Sequence, residues 1–174
     1  MIFISGIHSV GKSYFCEQVK SQLGLNAYSA STLISELKHE LFKRDKLIAD
    51  IDGNQGYLLA AVKKLDEIEK NYLLDGHLCL LNAQGDVQRI SRQTFIDLKP
   101  QGILLLTETP SVVAERRKIR DDIDSDISQI NIFQKEETAY AEEVSRLLGI
   151  SLYISKGADD IDKALKFIDS FSKN

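Results

Sequence analysis

Cysteine and proline are scarce here, two of each in the whole chain, and tryptophan is missing. Cys16 and Cys79 stand in no metal-ligand spacing, and two cysteines do not make a disulfide framework. Reduced core thiols in a cytoplasmic protein are therefore the expectation. With few prolines, no low-complexity tract and no internal repeat, nothing marks an interdomain linker, so the 174 residues are expected to form one domain. Long apolar runs are also missing. The first, Met1 to Ser5, has five residues, too few for a signal h-region or a membrane span. Positive charge is not in excess either. A net charge of −4 argues against broad electrostatic binding of nucleic acid. What is present, 43% hydrophobic and 28% charged residues, is the make-up of a soluble globular protein.

The most informative stretch is Gly6-Ile7-His8-Ser9-Val10-Gly11-Lys12-Ser13. It follows a short apolar strand candidate and leads into a helix candidate, Tyr14 to Leu23. Strand, glycine loop, Lys-Ser and helix in that order form a phosphate-binding loop. Gly6 and Gly11 permit backbone conformations that a side chain forbids. The loop N–H groups then converge on phosphate oxygens at the positive end of the helix. Gly6, His8, Ser9, Val10, Gly11, Lys12 and Ser13, with Tyr14 beside them, are the candidate nucleotide contacts. Lys12 is expected to reach the β- and γ-phosphates of ATP, and the Ser13 hydroxyl to ligate Mg²⁺.

Further along, apolar strands and amphipathic helices alternate. Asn26 to Ser29 is a second strand candidate, with Ser31 or Thr32 capping a helix that carries Leu33, Ile34, Leu37 and Leu41 on one face. Lys43 to Asn54 is polar and reads as a loop over the site. A helix from about Gln55 to Lys70 points Leu58, Leu59, Val62, Leu65 and Ile68 inward. A strand ends at Asp75. Leu78 to Leu81 and Val87 to Ile90 flank a small hairpin, and Ser91 caps a short helix ending near Leu98. After the strand Ile103 to Leu106, Pro110 opens a helix that runs towards Arg120. Asp121 to Ser128 is an acidic loop, and a long helix, Ile130 to Leu148, follows. The strand Ile150 to Ser155 and the helix Asp159 to Phe171 close the chain. This alternation predicts an α/β fold, a parallel sheet with helices on both faces. Ligands are expected beyond the carboxyl ends of the strands.

Asp75, at a strand end after the phosphate loop, stands where a second Mg²⁺-organising carboxylate belongs; a plain turn Asp before Gly76 is the alternative. Arg116, Arg117 and Arg120 lie on one predicted helix, Arg116 and Arg120 four apart on one face, and are candidates for neutralising a transferring phosphoryl group, Arg116 also for stacking on adenine. The same helix also reads as a solvated face paired with Glu115, Asp121 and Asp122. His8 and His77 are candidates for contact with a second substrate, as are Asp52 and Gln55. For both histidines a structural role is equally open, and His39 reads as a surface residue. Arg44 and Lys46 read as phosphate grips or as a solvent-facing run.

Taken in order, these residues resemble the P-loop nucleoside and nucleotide kinases, and more narrowly the archaeal-type adenylate kinases. The resemblance rests on Gly6 to Ser13, Asp75-Gly76-His77, the excursion Asn82 to Gly85, Leu98-Lys99-Pro100 before Ile103 to Leu106, and Glu115-Arg116-Arg117-Lys118-Ile119-Arg120-Asp121. Ile132-Phe133 and Ala139-Tyr140 extend it along the long helix. It implies a three-layer P-loop NTPase fold with a five-stranded parallel sheet of order 2-3-1-4-5. It also implies a substrate arm over about residues 31–70, a lid over about 116–136, ATP·Mg²⁺ as donor, and a nucleotide or other small acceptor. Two departures stand out. Where that family's lid carries further arginines, this chain reads Asp122-Ile123-Asp124-Ser125-Asp126. Where its arm carries an arginine for the monophosphate, Lys46 is the nearest cation. An ATPase whose hydrolysis switches a protein or RNA partner therefore stays beside the kinase reading, with His77 or Glu108 as its water-positioning candidates. No Asn-Lys-x-Asp follows Leu106, which argues against a GTPase. Neither the acceptor nor an oligomeric state follows from the sequence.

Overall fold

The computed structural model describes residues 1–44, 53–82 and 84–172. Five strands form one parallel sheet: β1 (Ile2–Ser5), β2 (Ala27–Ser29), β3 (Leu73–Asp75), β6 (Gly102–Thr107) and β7 (Ser151–Lys156). Its spatial order is β2-β3-β1-β6-β7, which is 2-3-1-4-5 when only these strands are counted. A separate antiparallel hairpin joins β4 (Cys79–Leu81) to β5 (Val87–Arg89). Every residue of β1 and all but the last of β6 are buried, as expected of central parallel strands covered on both faces.

The helices divide into two groups. α1 (Lys12–Leu23) packs against α7 (Ile161–Ser172). A second series of neighbours runs from α2 (Ala30–Arg44) through α3 (Gly53–Ile68) and α4 (Arg92–Leu98) to α6 (Ile127–Leu148) and α5 (Pro110–Asp121). The local signals read from the sequence act as expected. Gly24 ends α1 in the left-handed region. Ser91 Oγ accepts from Gln93 N at the start of α4. Pro110 opens α5.

Three expectations are corrected. α2 starts at Ala30, directly after β2, rather than behind a Ser31 or Thr32 cap, because the chain turns straight from strand into helix. Ile68 does not face inward. It is the last residue of α3, a helix that packs on α2 and α4, and at 85% exposed it lies outside that packing. The long helix starts at Ile127, three residues early, because Asp126 caps it by accepting from Ser128 N. Residues 45–52, including Lys46 and Asp52, lie outside the described residues.

Both cysteines are free. Burial is the main cause that pushes the Cys16 and Cys79 thiols up to about 12. Thiolate is the reactive form, so neither should alkylate readily in the native protein. At pH 8 the folded chain should incorporate less than about a tenth of the iodoacetamide taken up in the same time by the urea-unfolded chain. Fast labelling of the native protein, read by mass spectrometry, would contradict this burial.

Candidate active site

The phosphate loop leaves β1 beneath the carbonyl end of β6. Gly6 sits at φ +148°, and a Cβ there would lie 2.6 Å from the Leu106 carbonyl oxygen and 2.9 Å from Val10 Cγ1. Only glycine fits. Ser9 adopts φ +68° and Gly11 φ +112°. Gly11 is the N-cap of α1, and no side chain caps that helix. Its first N–H groups therefore stay available to an anion, and the helix dipole favours one.

Lys12 and Asp75 meet at the centre. Lys12 Nζ donates to the Gly6 carbonyl at 2.8 Å and lies 3.8 Å from Asp75 Oδ1. Burial lowers the Lys12 pKa, while Asp75 and Glu137 work against that fall. Burial raises the Asp75 pKa, opposed by Lys12. Each charge thus holds the other ionised in a poorly solvated place. Asp75 Oδ1 and Ser9 Oγ are buried without a hydrogen-bond partner. Such orphaned oxygens beside a phosphate loop fit a metal-bound water and a phosphate. Ser13 lines the same cavity as Asp75. One hydroxyl and one carboxylate suit Mg²⁺, which keeps several waters and takes phosphate oxygens.

His8 and His77 face each other across the loop, ring centroids 4.4 Å apart. Burial first, then Lys12 and His8, pushes His77 down to about 3, against a hydrogen bond to the Gly6 backbone that raises it. His8 is lowered by burial and by Lys12, Arg117 and Arg120. Both rings are therefore neutral at physiological pH and offer hydrogen bonds rather than charge. Between them and Asp75, Gly76 admits no side chain, since a Cβ would lie 2.8 Å from the Phe3 ring.

One cavity of about 800 Å³ brings most of the expected residues together. His8, Ser9, Gly11, Lys12, Ser13, Tyr14, Gln55, Asp75, His77, Arg116 and Arg120 all line it. Gly6 and Val10 shape the loop from behind. The arginines are engaged more specifically than the sequence suggests. Arg116 donates to the Val10 carbonyl at 2.9 Å and to Glu108 Oε2 at 3.1 Å, so it braces the outer curve of the loop. Arg120 is turned back onto the Asp121 carboxylate through two hydrogen bonds, the solvated pairing that the acidic neighbours also allow. Glu108 is held by Arg116 and by Thr109 N and does not line the cavity.

One contact and one residue escape the sequence reading. Arg117 donates to the His8 carbonyl at 3.2 Å and is a second brace on the loop. Glu137 is completely buried on α6. Its carboxylate accepts from Leu78 N at 3.0 Å, from Cys79 N at 2.7 Å and from the Ser5 hydroxyl. It ties the end of β1 to the segment that follows β3, and so holds His77 and Asp75 against the phosphate loop. The signal was its spacing. Glu137 lies between Phe133 and Tyr140 on the inward stripe of a helix, where a carboxylate has no reason to be without partners.

A family model described as an AAA domain matches residues 5–132. A search of curated proteins finds no match. Among solved structures, a gluconokinase from Sinorhizobium meliloti superposes with a TM-score of 0.57 at 17% identity, covering 99% of this chain and 93% of that one. A deoxyadenosine kinase from M. mycoides with bound dATP gives 0.56 at 16% identity, covering 99% of both chains. A shikimate kinase from Bacteroides thetaiotaomicron gives 0.53 at 14% identity, covering 99% and 98%. At such identities the likeness is one of fold.

The Glu137 clamp has a measurable weight. Glu137→Ala leaves the buried Cys79 N–H and the Ser5 hydroxyl without an acceptor and Leu78 N with only Ser5 Oγ at 3.2 Å, and should cost about 3 kcal/mol or more in urea unfolding. Glu136→Ala removes an exposed pairing with Arg89 and should cost about 1 kcal/mol or less. Equal effects at the two positions would show that the clamp carries no special weight.

Proposed function

The chain belongs to the AAA-domain family, and from that premise we propose that it is an ATP-dependent phosphotransferase that moves the γ-phosphoryl group to a small acceptor. The observation that supports this most is the continuity of the cavity. The phosphate loop with Lys12 and Asp75 lies at one end. A chamber walled by Ile34 of α2, Leu58 of α3 and Phe95 and Leu98 of α4 lies at the other. A hydrolase needs room for one water at the γ-phosphate, whereas this cavity has room for a second substrate.

In this reading the loop N–H groups and Lys12 bind the β- and γ-phosphates. Ser13 and Asp75 would hold Mg²⁺, which neutralises phosphate charge when bound. Arg120 leaves Asp121 and turns to the transferring phosphoryl group as the lid closes. Arg116 keeps its hold on the loop and borders the nucleotide. His8, His77 and Gln55 contact the acceptor. Catalysis is then positioning and electrostatics, with water excluded by closure. The same reading takes the chain as one kinase-like domain, with an arm over about residues 31–70 and a lid over about 116–136. An adenylate-kinase-like relation is supported by the Asp75-Gly76-His77 step and the arginine run on α5. A cytoplasmic location is supported by the free thiols, and among the described residues no helix is long and apolar enough to cross a membrane.

The test is transfer of label from γ-labelled ATP to a panel of small acceptors. Labelled organic product is expected, and release of free phosphate alone would favour the ATPase reading. Lys12→Ala should weaken ATP binding by about tenfold or more in calorimetry. Arg120→Ala should lower kcat by about 100-fold while changing ATP affinity little. Equal loss of binding and turnover would count against a transition-state role for Arg120.

A further inference from the structure

A second cavity, of about 550 Å³, lies between the β4–β5 hairpin, the acidic segment after α5 and the start of α6. It shares no lining residue with the phosphate-loop cavity. Ile130 and Phe133 of α6 line it and are buried, while Leu81, Ile123 and Ile132 border it at 48%, 53% and 61% exposed. Single exposed apolar residues are ordinary, but several gathered around one groove mark contact with another molecule.

The charge around this groove is one-sided. Asp86, Asp124, Asp126 and Glu136 line it, and Arg117 is the one cation in the described lining. The cations just outside are shared rather than spare. Lys118 pairs with both Asp122 and Asp124, and Arg89 with both Glu136 and Glu143. Asp122 and Asp124 stay largely exposed in spite of that pairing. The groove is therefore apolar within and negative at its border. Such a field repels nucleic acid and anionic lipid and favours a cationic partner. A second copy of this chain, with a net charge of −4, is not complementary to it overall.

Arg117 connects this groove to the phosphate loop. It lines the groove, and its guanidinium donates to the His8 carbonyl at 3.2 Å. Its Nε–H is buried without an acceptor, so the side chain is incompletely satisfied where it stands. Whatever settles against Arg117 thus acts on a residue that braces the loop.

We propose that this groove is a docking site for a basic amphipathic segment of another protein, and that Arg117 links its occupancy to the phosphate loop. The apolar face of such a segment covers Leu81, Ile123 and Ile132, and its lysines or arginines meet the carboxylates at the border.

The probes are three amphipathic peptides about four helical turns long, each with leucine on one face. Lysine, glutamine or glutamate fills the other face. Binding to the full chain is read by fluorescence anisotropy at about 0.1 M salt. The lysine peptide should bind at least about tenfold tighter than the glutamine peptide, and the glutamate peptide most weakly. Ile123→Ser with Ile132→Ser should weaken the lysine peptide by about tenfold or more. Ile68→Ser, equally exposed but at the end of α3, should change nothing. No binding of the lysine peptide, equal binding of all three, or the same loss in the Ile68 variant would overturn the proposal. So would a dimer in sedimentation that the Ile123 and Ile132 changes dissolve, since the groove would then belong to a second copy. ATP affinity in calorimetry should change about threefold or more when the lysine peptide is bound, and Arg117→Gln should remove that change while the peptide still binds. An ATP affinity indifferent to the peptide would overturn the link through Arg117. None of these readouts needs turnover, so they stand or fall apart from the phosphotransferase reading.

Discussion

A single buried carboxylate holds the site in one piece. Glu137 accepts from Leu78 N, Cys79 N and the Ser5 hydroxyl, three donors on two different segments. Stripped of water, such a group is tolerable only when its lone pairs are filled. That requirement fixes α6 on the sheet, the end of β1 beside the end of β3, and Asp75 and His77 over the phosphate loop. α6 is also the helix that follows the acidic segment after α5, so the α5–α6 connection and the candidate site share one anchor.

Charge is distributed along the cavity with the same economy. Lys12 and Asp75 keep one another ionised against a burial that would neutralise either alone. Next to them the two imidazoles are held neutral by burial and by that same lysine. Beyond them the described lining is apolar or uncharged. Among the described residues, a strongly charged phosphate-loop end therefore grades into less charged surroundings within one chamber.

The fold was legible because its signals are local. Hydrophobic period, the glycine at the end of α1, Ser91 and Pro110 each act within a few residues, and each element formed where they indicate. The errors lie at ends. α2 begins without the expected cap, and Ile68 is left exposed at the end of α3, because tertiary contacts decide how far a helix continues to be covered. In the site, Gly6 to Ser13 and Asp75 were legible from motif and order. The hold of Arg116 and Arg117 on the loop, and Glu137, were not, since their partners are carbonyls and N–H groups more than fifty residues away in the chain.

By itself the sequence determined the phosphate loop, the alternation that makes a parallel sheet, and the carboxylate at the end of β3. All three depend on spacing along the chain and on which residues tolerate a given backbone. Only the tertiary structure decided that Glu137 would clamp two segments, that Arg116 and Arg117 would grip the loop, and that cations would gather at one end of the cavity. Those outcomes depend on which backbone groups are left without partners once the sheet and helices have packed. That is a property of the packed whole, and no stretch of sequence carries it alone.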